Sequence, residues 1–178
     1  MQERKPTRLK GYDYSEIGSY FITICSLDRK NIFSQIVGQG LEPDEMQGNK
    51  NSSGVGQGLA PAEVRLSELG KIAESQLLDL SKRFNNVNID KYVIMPNHIH
   101  FLLSMRNTAG ASPCPTVSDI VCAFKSLTSI KCKSIYTSRL WQTSFYDHII
   151  RDEADYRRIW NYIDTNPGKW SEDKYYVE

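Results

Sequence analysis

The chain has 178 residues, 40% hydrophobic and 24% charged, the make-up of a single globular domain over 1–178, which excludes a wholly disordered or collagen-like chain. Its 22 basic and 21 acidic residues leave a net charge of +1, which at face value argues against a nucleic-acid binder with its usual basic surface. No apolar run approaches the roughly 20 residues that span a bilayer, the first ten residues lack a signal core, and Cys25, Cys114, Cys122 and Cys132 form no C-x-x-C pair, so a reduced cytoplasmic protein is expected.

The first predicted element is a strand over Ser19–Ser26, where β-branched and aromatic residues cluster. Next comes a different kind of segment. VGQGL occurs at 37–41 and again at 55–59, with polar, turn-forming QGNKNSSG between the copies. Such a stretch cannot bury a core, so 37–64 reads as a low-complexity surface loop or insertion. From Leu66 to Phe84, Leu66, Leu69, Ala73, Leu77 and Leu80 recur at helical spacing. Val87–Met95 and His98–Met105 are two strands split by Pro96-Asn97, close enough for a hairpin. From Thr116, Val117, Ile120, Val121, Phe124 and Leu127 form a helical stripe. Trp141–Ile150 reads as a strand. Asp152–Asn166 reads as a helix whose core face is Tyr156, Ile159, Trp160 and Ile163, ended by Pro167. The order βαββαβ followed by a helix predicts an α+β, ferredoxin-like antiparallel sheet with helices on one face, leaving the other face for a ligand.

Two features carry possible chemistry. His98 and His100 are two apart in a strand, so both imidazoles share a face. The pair reads first as structural histidines and second as half of a divalent-metal site with N/O ligands. Tyr162 and Asn166 are i and i+4 on the last helix, at the flank of its core face. Tyr162 is there either a boundary tyrosine or a hydroxyl aimed into a cleft. His148 follows Asp147 in a strand and reads either as a spare metal ligand or, the favoured reading, as a structural histidine oriented by that carboxylate neighbour.

With these residues in view, YVIMPNHIHFLL (92–103) resembles the His-hydrophobic-His segment of the single-tyrosine HUH transposases. WQTSFYDHIIRDEADYRRIWNYIDTNP (141–167), RLKGYDYSEIGSYFITICSLDRKNIF (8–33) and AFKSLTS (123–129) resemble the C-terminal, N-terminal and second-helix blocks of the REP-associated tyrosine transposases and their insertion-sequence relatives. The resemblance implies that His98, His100 and Asn166 bind Mg²⁺ or Mn²⁺. It implies that Tyr162 is the nucleophile, cleaving and rejoining single-stranded DNA at hairpin-forming repeats through a 5′-phosphotyrosine. Asparagine at 166 matches the REP-associated branch, which implies a monomer, with the helix-swapped dimer of the insertion-sequence relatives as the alternative, acting in a bacterial cytoplasm at the nucleoid. The alternative from another class is a non-catalytic nucleic-acid-binding module of the same ancestry. A two-histidine phosphoesterase is disfavoured, since only His148 remains to build its second motif.

DNA binding needs local rather than average positive charge. Residues 37–64 carry a net −3, so the rest carries +4. Arg4, Lys5, Arg8 and Lys10 form one basic cluster, and Lys125, Lys131, Lys133 and Arg139 another. Arg151, Arg157 and Arg158 flank the Tyr162 helix. Each cluster alone reads as a solvated face; with the resemblance, each is a candidate DNA contact.

Overall fold

A computed structural model describes residues 16–38, 62–106 and 115–177. Arg4, Lys5, Arg8, Lys10, Cys114 and the greater part of the VGQGL segment lie outside them. The predicted strands form one antiparallel sheet: β1 (Gly18–Cys25), β4 (Val87–Ile94), β5 (His98–Met105) and β6 (Tyr146–Ile150), in spatial order β4-β5-β1-β6. That order, with every pair antiparallel, is the ferredoxin-like arrangement.

Strand alternation divides the side chains between two layers. Tyr20, Ile22, Ile24, Ile99, Phe101 and Leu103 face α1 (Glu68–Leu78) and α3 (Val117–Cys132), burying the main core with Ala73, Leu77, Ile120 and Phe124. Thr116 caps α3 through a reciprocal capping box with Asp119. The predicted 66–84 helix is interrupted at Asp79, which separates α1 from the short α2 (Leu80–Arg83).

The second layer differs from the open face expected of a ferredoxin-like sheet. Phe21 and Leu102 pack there against Ile159 and Ile163 of α4 (Glu153–Thr165). Asp152 caps α4 by accepting from the Asp155 amide at 2.8 Å. A 3-10 stretch (Pro167–Glu172) then turns the chain back over the sheet.

The strand predicted from Trp141 begins only at Tyr146. Trp141 makes an isolated bridge to Ser26, and the carbonyls of Gln142, Thr143 and Ser144 accept from Lys125 instead of a neighbouring strand. Two further strands, β2 (Ser34–Val37) and β3 (Glu63–Leu66), form a separate antiparallel pair with Val37 opposite Glu63. The ends of the 37–64 segment are therefore strand, and the connection proper is 38–62. The base of this pair is fastened to the start of α1. Ser67 Oγ donates to the Ile32 carbonyl at 2.6 Å and accepts from the Gly70 amide at 3.1 Å. A Cβ on Gly70 would stand 2.0 Å from the Phe33 carbonyl oxygen, so only glycine allows that approach.

Candidate active site

β5 puts His98 and His100 on the α4 face, opposite Cys25 and Thr23 of β1. Both rings are fully buried. Each is held by its second nitrogen. The Asn97 amide nitrogen donates to the carbonyls of Tyr175 (2.8 Å) and Arg29 (3.2 Å). Its oxygen therefore accepts from His98 Nδ1 at 2.8 Å. That bond leaves a lone pair on His98 Nε2. His100 Nδ1 lies 2.8 Å from Thr23 Oγ1, a hydroxyl able to donate or accept. The two Nε2 atoms are 3.0 Å apart.

Burial pushes the His98 pKa down to about 4; Asp173 opposes this, while Lys174 and Arg29 add to it. Burial, the neighbouring His98 and Lys174 push His100 well below its ordinary value. Both rings are thus neutral near pH 7, as metal ligation requires.

α4 delivers Tyr162 from above. Its ring packs edge-on against Phe21 at 5.8 Å and lies 5.3 Å from the His100 ring. Its Oη is 3.3 Å from His100 Nε2. Burial, then the charge of Asp173, raise its pKa to about 12. Tyr156 is engaged elsewhere, donating to Asp90 at 3.1 Å.

Asn166, at the C-terminal cap of α4, donates through Nδ2 to Asp173 Oδ2 at 2.7 Å. Its Oδ1 is buried with no hydrogen-bond partner among the described residues. Asp173 is the residue that sequence reasoning missed. Its Oδ1 accepts from the Tyr175 amide at 2.7 Å, and single ligand atoms of His98, His100 and Asp173 lie within 4.8 Å of one another. Tyr175 was missed too. Its ring lies tilted 4.6 Å from the His98 ring and 5.9 Å from that of His100, while Trp170 covers His98 from 5.9 Å. The Arg29 guanidinium covers Tyr175 and donates to the Lys174 carbonyl, fastening the C-terminal stretch.

The donor set suits a hard divalent cation: two neutral imidazoles, a carboxylate and an amide oxygen without a partner. An octahedral ion with ligands at about 2.1 Å separates adjacent donors by about 3.0 Å, which is the observed Nε2–Nε2 spacing. The residues present fit Mg²⁺ or Mn²⁺.

A cleft of ≈ 530 Å³ opens beside this centre, with Tyr162, Asn166 and Asp173 on its lining together with His148, Arg158 and Lys174. Of the described basic candidates, Arg158 alone lines it. Arg151 is exposed just beyond β6. Lys131 lies near Lys82 and Arg83 in a groove on the α1–α3 side. Lys125 is half-buried, its ammonium bound to three carbonyls and its pKa lowered by burial. Lys169 and Lys174 line the cleft instead.

The chain resembles known proteins in sequence and in fold. The family model described as "Transposase IS200 like" matches residues 68–166, more than half of the chain. An uncharacterized protein of Haemophilus influenzae is 30% identical over a 195-residue alignment that covers 100% of this chain and 96% of that protein. A solved structure of a REP-associated tyrosine transposase bound to a REP hairpin superposes with a TM-score of 0.59, at 17% identity, covering 91% of this chain and 73% of that one. No helix among the described residues is long and apolar enough to cross a membrane.

Proposed function

Since the chain belongs to the IS200-like, REP-associated family of single-tyrosine HUH transposases, we propose that it cleaves and rejoins single-stranded DNA beside hairpin-forming repeats through a 5′-phosphotyrosine on Tyr162. The observation that carries this reading is the 3.3 Å approach of Tyr162 Oη to a buried pair of neutral histidines. His98, His100, Asp173 and Asn166 are the residues that would hold the divalent ion. When bound, Mg²⁺ or Mn²⁺ would supply Lewis-acid polarisation of the scissile phosphate and would offset the Asp173 charge, which adds to burial in keeping the phenol protonated.

The chain's own residues do the rest. Asn97 and Thr23 orient the imidazoles through their Nδ1 atoms. Phe21 fixes the plane of the Tyr162 ring. The phenolic oxygen attacks phosphorus, the bond to the 3′-oxygen breaks, and the covalent ester conserves the phosphodiester for rejoining. Tyr175 is a weaker candidate nucleophile because it is buried and does not line the cleft, whereas Tyr162 does. Lys169, Lys174 and Arg158 offer the cleft positive charge for a DNA backbone. The working unit in this reading is a monomer, as the likeness to the REP-associated branch implies.

The test uses oligonucleotides spanning palindromic repeats that flank the gene, each with its hairpin and a single-stranded 5′ flank, incubated with Mn²⁺. A covalent protein–DNA adduct is expected from the parent and from Tyr175→Phe, and none from Tyr162→Phe, which still binds the hairpin. An adduct from Tyr162→Phe would refute the assignment.

A further inference from the structure

A second cluster of titratable side chains lines the cleft, and the reaction as derived leaves it unused. His148 lies opposite Phe21 in the β6–β1 ladder, so its imidazole projects onto the α4 face beside Tyr162. Its sequence neighbour Asp147, one residue along the strand, belongs to the other layer. The carboxylate that orients His148 comes instead from α4: Asp155 Oδ2 is 2.7 Å from His148 Nε2. The other Asp155 oxygen accepts from Arg158 at 2.5 Å. The backbone of Asp155 is itself fixed by the helix cap at Asp152. Although partial burial opposes it, the bonds from His148 and Arg158 hold the Asp155 carboxyl below its ordinary value.

The remaining nitrogen, Nδ1, makes no hydrogen bond among the described residues, and the side chain is 32% exposed in a cleft shared with Tyr162. An imidazole gripped through one nitrogen by a carboxylate, with the other turned to a substrate-sized space, is built to transfer protons. A purely structural tie between β6 and α4 needs only the Asp155 bond. The other charged groups on this cleft are Arg158, Lys169, Glu172, Asp173 and Lys174.

Building on the phosphotyrosine reaction above, we propose that His148, oriented by Asp155, is the acid that protonates the departing 3′-oxygen. In the cleavage step the Tyr162 O–P bond forms and the P–O3′ bond breaks. The phenolic proton passes to water in the cleft. The imidazolium gives its Nδ1 proton to O3′ and keeps the electron pair. In the rejoining step the neutral imidazole takes that proton back as the 3′-oxygen attacks phosphorus, and the departing phenolate is reprotonated by water. One histidine therefore serves both directions without a net change in protons.

The test compares a normal substrate with one whose scissile 3′-oxygen is replaced by sulfur, a leaving group that needs no acid. The cleavage position is first mapped on the oxygen substrate with the parent protein, and all reactions contain Mn²⁺. His148→Asn is expected to form adduct at least about 100-fold more slowly than the parent on the oxygen substrate. It should come within about tenfold of the parent on the sulfur substrate. Asp155→Asn should show the same pattern, more weakly. Hairpin binding and thermal unfolding of each variant report whether it is folded. Equal slowing on both substrates, or parental rates on the oxygen substrate, would overturn the role of His148. Failure of the parent to form adduct on any substrate would instead overturn the phosphotyrosine reading.

Discussion

Asn97→Ala should damage both the fold and the metal centre. The side chain is fully buried and makes three hydrogen bonds: to the Tyr175 carbonyl, the Arg29 carbonyl and His98 Nδ1. Each such bond contributes about 1 kcal/mol net, and orphaning the buried partners adds to the loss. A destabilisation of about 3 kcal/mol follows, or a fall in Tm of about 6–12 °C for a chain of this size. His98 also loses the acceptor that fixes its tautomer, so Mn²⁺ should bind about 10–100-fold more weakly. Thermal unfolding without metal reads the first effect and calorimetric titration with Mn²⁺ the second. Asn31→Ala is the control, because it releases only an exposed bond from the same C-terminal stretch, at Val177. It should change stability by less than about 0.5 kcal/mol. An Asn97→Ala protein with parental Tm and parental Mn²⁺ affinity would refute the argument that this side chain holds the centre together.

Gly70→Ala should cost about 3 kcal/mol or more in denaturant unfolding, because the Phe33 carbonyl cannot yield without disturbing the base of the β2–β3 pair; a loss under about 1 kcal/mol would contradict the geometry. Metal-free protein should lose stability as pH falls from about 6.5 to 4. Over that range the unfolded chain protonates His98 while the folded one does not, a difference of about 3 kcal/mol for this residue alone. A flat stability profile between pH 7 and 4.5 would count against its neutral burial. Asp173→Ala should weaken Mn²⁺ binding at least about tenfold and leave a more acidic, more easily ionised Tyr162, seen as a downward shift in its spectroscopic titration. Mixing Tyr162→Phe with His100→Ala should restore no adduct, since both residues act within one chain; recovery of activity would show exchange of α4 between subunits.

The parts of the site that obey a period were legible in the sequence. Strand alternation put His98 and His100 together, and helical spacing put Tyr162 and Asn166 on one side of α4. Asp173 and Tyr175 were not legible, because they follow Pro167 in a stretch without periodicity. Their placement depends on a 3-10 turn and on contacts with Arg29 and Asn97, more than 70 residues away in the chain. Asn97 read as a turn breaker, which it is, but its side chain's second task is set by the fold. For His148 the sequence offered its neighbour Asp147 as the orienting carboxylate, and the structure supplies a different one. That partner, Asp155, is seven residues on and comes from another element, which alternation within β6 makes necessary. The β2–β3 pair escaped notice because each strand is only four residues long and the partners are separated by the polar connection.

That pair also says something about how the chain can change. Val37 faces Glu63 across the ladder, so the frame registers only the two ends of the 25 residues between them. The VGQGL copies are 18 residues apart. Losing one repeat unit would shorten the connection to 7 residues and, closed as a free chain, shift the closure cost by only about 1 kcal/mol. No strand would change register, and neither the histidine pair nor Tyr162 would move. The repeat is thus an open port: a change of one 18-residue cassette there alters the length of a connection whose two ends are fixed by a sheet that does not carry the histidines or Tyr162.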